Sequence, residues 1–249
     1  MDINILRDSY FSFNWRSEMY GWRGRIGVII PADNAVMEPD FHRLAPEGVS
    51  THAARLQKCP RPEMPIAALE LVKTFLETHV DIIAYMCAAS SFVMGPKGNE
   101  KLCKQLSEIT GGLPALTATT AMIEGFEAVG AKRIAVIAPH PPEIVKKLSQ
   151  YIEDSGFSVV SATGLGLDMP AINNTVPSDI YRIIRDLNIT NADAIFVAAT
   201  NFRAIDVIES IESDVGVPVI TSNQVVMWKA LRKLGIAEHP SGYGQLWDI

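Results

Sequence analysis

The sequence predicts an α/β protein of two similar halves, each a parallel sheet covered by helices, with a cleft between them. Three pairs of matching segments carry that prediction. Residues 25–31 (RIGVIIP) and 133–139 (RIAVIAP) are short apolar runs ending in proline, the pattern of buried parallel strands. Residues 80–87 (VDIIAYMC) pair with 192–199 (ADAIFVAA), and 112–118 (GLPALTA) with 216–222 (GVPVITS). The offsets are 108, 112 and 104 residues, so both order and spacing recur. One match would be noise, whereas three in order argue for a duplication.

The elements follow in chain order. The first 24 residues hold Tyr10, Phe11, Phe13, Trp15, Tyr20 and Trp22 and read as an arm packed on the body or on a partner subunit. After the strand at 25–31, residues 65–79 open with proline and place Ile66, Leu69, Val72 and Leu76 near one face of a helix. The strand at 80–87 leads to helical patterns at 97–109 and 121–129 on either side of the strand at 112–118. The second half repeats the plan: a strand at 133–139, helices at 142–154 and 178–188, a strand at 192–199, a helix at 204–213 and a strand at 216–222. The expected organisation is an N-terminal arm (1–24), a first half (25–120 plus the returning segment 222–249) and a second half (121–221). Each half is Rossmann-like (flavodoxin-like), and a pseudo-twofold relates them. Ligands of open parallel sheets bind outside the carboxyl ends of the strands. Two facing halves would therefore present two sets of strand ends to one cleft.

Composition narrows the function classes. The 249 residues are 48% hydrophobic and 20% charged, which suits a packed core and excludes disorder as the main state. A net charge of -6 without a clustered basic face argues against nucleic acid as a partner. No run approaches the roughly 18 apolar residues of a membrane span. The N-terminus carries Asp2, Arg7, Asp8 and Arg16 and does not read as a signal peptide. Cys59, Cys87 and Cys103 lack CxxC spacing, which excludes a disulfide framework or a zinc site of ordinary spacing and makes the reducing cytoplasm the expected location. There is no phosphate-binding GxxxxGK[ST], TGLGLD lacks the third glycine of a dinucleotide fingerprint, and the five histidines show no HxxxH. No cofactor and no metal are therefore expected.

The residues just after each repeated strand carry the chemistry. Asn34 follows Pro31 by three residues and can donate two N–H groups to a carboxylate, or form an Asx turn or helix cap. Cys87 ends its strand and precedes Ser90, Ser91 and a loop with Gly95 and Gly98, where donors could cradle an anion and lower a thiol pKa. The alternative is a small buried hydrophobe, the reading given to Cys59 and Cys103. The 112-residue offset maps Cys87 onto Ala199, which can do no proton chemistry. Beside it, Thr200 and Asn201 can donate to a carboxylate. His140 ends another strand and can act as acid, base or carboxylate donor, or merely cap a loop. Thr221, Ser222 and Asn223 follow the last strand, where a helix N-cap is the simpler reading.

These segments resemble the aspartate/glutamate racemase superfamily, and within it the branch of maleate cis-trans isomerase and arylmalonate decarboxylase. The resemblance covers about residues 24–249. It rests on GRIGVIIPADNAVMEPDF, the C-x-x-x-S-F segment from Cys87 to Phe92, AATNFRAIDVIE, ITSNQVVMWKALR and GYGQLWD. The isomerase pattern has a cysteine at both strand ends and asparagines that hold substrate carboxylates, which Cys87, Asn34 and Asn201 match. Ala199 departs from it at the second cysteine, whether by natural replacement or by deliberate knockout, and His140 stands where tyrosine is usual. The decarboxylase pattern has glycine, threonine and serine where Cys87, Ala88 and Ala89 stand here.

The resemblance implies a cofactor-independent isomerase acting on a small carboxylate or dicarboxylate through a Cys87 thiolate. Ala199 and His140 are the remaining catalytic positions, and Asn34, Ser90, Ser91, Thr200, Asn201 and Ser222 would bind substrate. The alternatives are an arylmalonate-type decarboxylase, an aspartate, glutamate or hydantoin racemase, and a non-catalytic small-acid binding protein. The aromatic arm makes a homo-oligomer reasonable.

Overall fold

A computed structural model describes residues 19–249. One sheet contains β1 (Gly24–Pro31), β2 (Val49–Leu56), β3 (Ile82–Tyr85) and β4 (Ala115–Thr117). The other contains β5 (Arg133–Ala138), β6 (Ser158–Gly164), β7 (Ala194–Val197) and β8 (Val219–Thr221). The strand orders are β2-β1-β3-β4 and β6-β5-β7-β8, and all pairings are parallel. The duplicated α/β architecture expected from the repeated segments is present. The helices are, in order, α1 (Met37–Leu44), α2 (Met64–Leu71), α3 (Phe75–Thr78), α4 (Ala88–Val93), α5 (Gly95–Ile109), α6 (Ala118–Ala128), α7 (Pro142–Asp154), α8 (Met169–Asn174), α9 (Pro177–Arg185), α10 (Ile208–Val215) and α11 (Ser222–Lys233).

Equivalent residues make equivalent contacts in the two sheets. The inner strands β3 (IIAY) and β7 (AIFV) are buried along their whole length, as continuous apolar runs require. An aspartate just before each of them ties in the strand alongside. Asp81 accepts the backbone N–H of Arg25 at 2.7 Å, and Asp193 accepts that of Arg133 at 2.8 Å. Thr117 and Thr221 end their strands as N-caps of α6 and α11, each in a reciprocal capping box with Thr120 and Gln224. The cap reading of the segment at 221–223 therefore holds at Thr221.

Helices α6 and α11 pack against one another. A Cβ on Gly125 of α6 would lie 2.5 Å from Val225 of α11, so only glycine permits this approach. One apolar core runs through both sheets from Ile26 to Trp247, and a smaller cluster on the far side of the first sheet holds Ile29, Met64, Phe75, Tyr85 and Cys87.

Several expectations change. The edge strands β2 and β6 were not among the predicted elements. Residues 65–79 form no single helix: α2 passes into a 3-10 turn at Val72–Thr74 and then α3, which ends at the left-handed His79. The predicted face is also displaced. Ile66 and Leu76 are exposed, while Met64, Ala68, Val72 and Phe75 are buried. Apolar residues lie all around this segment, so their spacing marks no unique face. Of the aromatic arm, Tyr10, Phe11, Phe13 and Trp15 lie outside the described residues; Tyr20 is exposed, and Trp22 is partly exposed beneath the Arg23 guanidinium. Among the described residues no helix is long and apolar enough to cross a membrane.

Candidate active site

Strand order reverses between β1 and β3 in one sheet and between β5 and β7 in the other. Connections leave such a point in opposite directions and open a crevice. The carboxyl ends of these four strands line one cavity of about 260 Å³. Asn34 comes from the end of β1, Cys87 from β3, His140 from β5, and Ala199, Thr200 and Asn201 from β7. The structure thus brings together six of the nine residues singled out from the sequence.

Cys87 is 8% exposed and is the residue preceding α4. Its Sγ lies 3.8 Å from the Met64 Sδ. Burial pushes the thiol pKa up, against hydrogen bonds from the Ser90 hydroxyl, the Ser90 backbone and Tyr85 and against the charge of Arg61. The expected lowering by local donors is therefore outweighed by burial, and the resting group at neutral pH is the thiol. A thiolate forms only when a base takes that proton.

Ala199 sits at φ 92, a left-handed conformation that costs a Cβ-bearing residue about 1–2 kcal/mol. Its N–H donates to Ser222 Oγ at 3.1 Å, which helps hold the turn in place. Strain of this kind concentrates where side chains must be aimed. Here it aims a methyl group at the cavity that Cys87 enters from the other sheet.

The polar residues divide into two sets. Asn34 Oδ1 accepts the N–H groups of Val36 and Met37 at 3.0 and 2.9 Å, while Nδ2 donates to Thr200 Oγ1 at 3.0 Å. The Thr200 hydroxyl in turn donates to Met86 O at 3.0 Å. These bonds bridge the sheets beneath the cavity. Asn201 Nδ2 has as its partner the Met169 Sδ at 3.5 Å, a weak acceptor that a carboxylate would displace.

Ser90, Ser91 and Ser222, expected to bind substrate, do not line the cavity. Ser90 Oγ lies 2.5 Å from Tyr85 Oη and donates to Cys87 O, and Ser91 bonds Ala88 O and Thr119. Hydroxyls in a first helical turn fold back on nearby backbone, and burial here fixes them in that role. His140 is half-buried in the cavity wall, and burial, reinforced by Arg61, lowers its pKa to about 4. It is a neutral imidazole at pH 7, not a cationic donor.

Comparison with known proteins identifies the family. The profile of the arylmalonate decarboxylase family (Amdase) matches residues 26–247. The chain belongs to the arylmalonate decarboxylase family. It is 26% identical over 245 residues to a maleate isomerase of Geobacillus stearothermophilus, covering 89% of this chain and 96% of that one. It is also 26% identical over 242 residues to the arylmalonate decarboxylase of Bordetella bronchiseptica, covering 88% and 92%. Among solved structures, a cysteine-to-alanine variant of the maleate isomerase Iso from Pseudomonas putida S16, determined with maleate, superposes with a TM-score of 0.85 at 25% identity and covers 90% and 97% of the two chains.

Within this member of the arylmalonate decarboxylase family, several residues at the site escaped the sequence reading. Lys58, Cys59, Arg61 and Met64 reach the cavity from the stretch between β2 and the start of α2, and Met169 from α8; Cys59, expected to be a small buried hydrophobe, is instead a partly exposed free thiol in the cavity wall. Asp40 and Asn223 support it from behind. Asp40, 2% exposed, accepts from Asn223 Nδ2 at 2.8 Å, and the same amide donates to Thr200 O at 3.0 Å. Burial raises the Asp40 pKa to about 7, opposed by the Asn223 hydrogen bond; nearby Asp206 raises it further, and Arg43 and Arg203 pull it down.

An acid that holds its proton more tightly when folded adds stability as pH falls from about 7 toward its unfolded value, and loses that contribution above 7. Wild type is therefore expected to gain up to about 4 kcal/mol relative to Asp40→Asn between pH 8 and pH 4. Urea midpoints of both proteins across that range check the slope. Parallel curves would remove Asp40 as the titrating group.

Proposed function

We propose that this protein is a cofactor-independent cis-trans isomerase of a small unsaturated dicarboxylate such as maleate. The observation that carries the reading is the meeting of Cys87 and Ala199 from two duplicated sheets in one cavity. Its similarity to maleate isomerases along nearly the whole chain supports it. In the proposed reaction the neutral His140 imidazole takes the Cys87 proton, the sulfur bonds to one alkene carbon, and the π pair moves onto the neighbouring carbon and its carboxylate. The former double bond is then single and rotates. When the pair returns, the C–S bond breaks and the trans acid leaves with the thiolate restored. Asn201 donates to the carboxylate that gathers charge, while Asn34 and Thr200 hold the floor of the cavity between the halves. Such aimed donors are worth about 100-fold or more in rate.

In the branch pattern a second cysteine moves a proton at the other carbon. Ala199 cannot, and His140 alone titrates among the residues brought by the second sheet. As a neutral imidazole it is a weak substitute, so slow turnover is the expected behaviour. Free Cys59, Cys87 and Cys103 suit a reducing compartment such as the cytoplasm. Decarboxylation of an arylmalonate is the less favoured reading, because the decarboxylase pattern has its single cysteine at the second strand end, where Ala199 stands here. The test is incubation with maleate at high protein concentration, with fumarate followed by proton NMR. Fumarate production is expected; carbon dioxide from a disubstituted malonate, with no fumarate from maleate, would overturn the isomerase reading.

A further inference from the structure

The cavity carries more positive charge at its mouth than a four-carbon backbone alone requires. Lys58 and Arg61 both line it from the exposed stretch between β2 and α2. Neither has an ion-pair partner or a hydrogen bond from its side chain among the described residues, although ten ion pairs form elsewhere. Asp33, which follows β1 next to the end of β2, is the sole acidic side chain in the lining. The same side of the lining holds Leu56, Cys59 and Met64, the last in contact with Cys87. A guanidinium without a carboxylate partner on the cavity wall can receive an anion, since its planar fork of donors matches a carboxylate.

The charge of Arg61 reaches into the site. After burial, it is the second cause of the lowered His140 pKa, and at Cys87 it opposes in small part the rise that burial causes, although the two groups come from different sheets.

We infer that Arg61 is a specificity residue that clasps the substrate carboxylate remote from the sulfur, so that the site selects dianions over half-amides and half-esters. The inference rests on the proposed isomerase reading for its substrate, but charge selection at Cys87 can be measured without turnover. Iodoacetate and iodoacetamide deliver the same carbon to the thiolate and expel the same iodide. They differ in carrying a carboxylate or a neutral amide. Their rate ratio at Cys87, followed by mass spectrometry of its peptide, therefore reports the anion receptor and cancels any change in thiol pKa or access.

Arg61→Gln is expected to lower the iodoacetate-to-iodoacetamide ratio by about ten-fold or more, and Arg61→Lys to restore part of it. Added salt should compress the wild-type ratio toward that of the variant. With maleate and its half-amide as paired substrates, Arg61→Gln should raise KM for the diacid and leave its kcat nearly unchanged. An unchanged alkylation ratio in Arg61→Gln overturns the assignment even if maleate is turned over. A lowered ratio with no fumarate formed sustains the receptor and removes the isomerase.

Discussion

Replacing Ala199 by cysteine is expected to raise maleate-to-fumarate turnover by about 100-fold or more, the usual worth of a positioned acid or base. The backbone needs no rearrangement to receive it. Residue 199 already holds φ 92, its N–H is fixed on Ser222 Oγ, and its side chain faces the cavity. Cysteine adds one sulfur to the existing methyl carbon, within a cavity of about 260 Å³. The new thiol would approach the adduct from the sheet opposite Cys87 and deliver or remove a proton at the carbon that Cys87 does not attack. Initial rates by NMR, for both proteins at equal concentration, decide the matter. A folded Ala199→Cys protein that binds maleate and turns it over no faster would mean that this position takes no part in the chemistry.

Cys87→Ser should reduce turnover by at least about 1,000-fold, because a nucleophile supports every later step. The change is small in volume and retains a donor beside Ser90, so the fold and the cavity should persist. Maleate binding, read by calorimetry, should therefore survive in the variant. Unchanged turnover would assign the chemistry elsewhere. Tight binding in both proteins with no turnover in either would mark a small-acid binding protein.

The legible parts of this molecule share one property: their role follows from chain order alone. β1, β3, β5 and β7 announce themselves as apolar runs because both faces of each are covered, and whatever follows such a strand lands in the crevice. Asn34, Cys87, His140, Ala199, Thr200 and Asn201 are read that way. The edge strands β2 and β6 alternate partly buried with exposed residues, as VSTHAARL and SVVSATG, and so lack the apolar signature. Ser90, Ser91 and Ser222 illustrate the other limit. A hydroxyl near a strand end serves substrate or backbone depending on its direction, which is decided by packing with Tyr85, Thr119 and Ala199. Arg61, Lys58 and Met169 reach the cavity from segments whose approach is set by tertiary contacts. Asp40 looks like an ordinary first-turn helix acid until Asn223, 183 residues later, folds onto it.

The close seat of Val225 against Gly125 has a mechanical consequence. Helices that leave the ends of β4 and β8 are clasped at the centre of the molecule, and the hydrocarbon interior continues from one sheet into the other. The two duplicated parts cannot swing apart like the leaves of a hinge without exposing that shared interior. A ligand therefore enters and leaves by the crevice's exposed rim, with that shared interior kept covered.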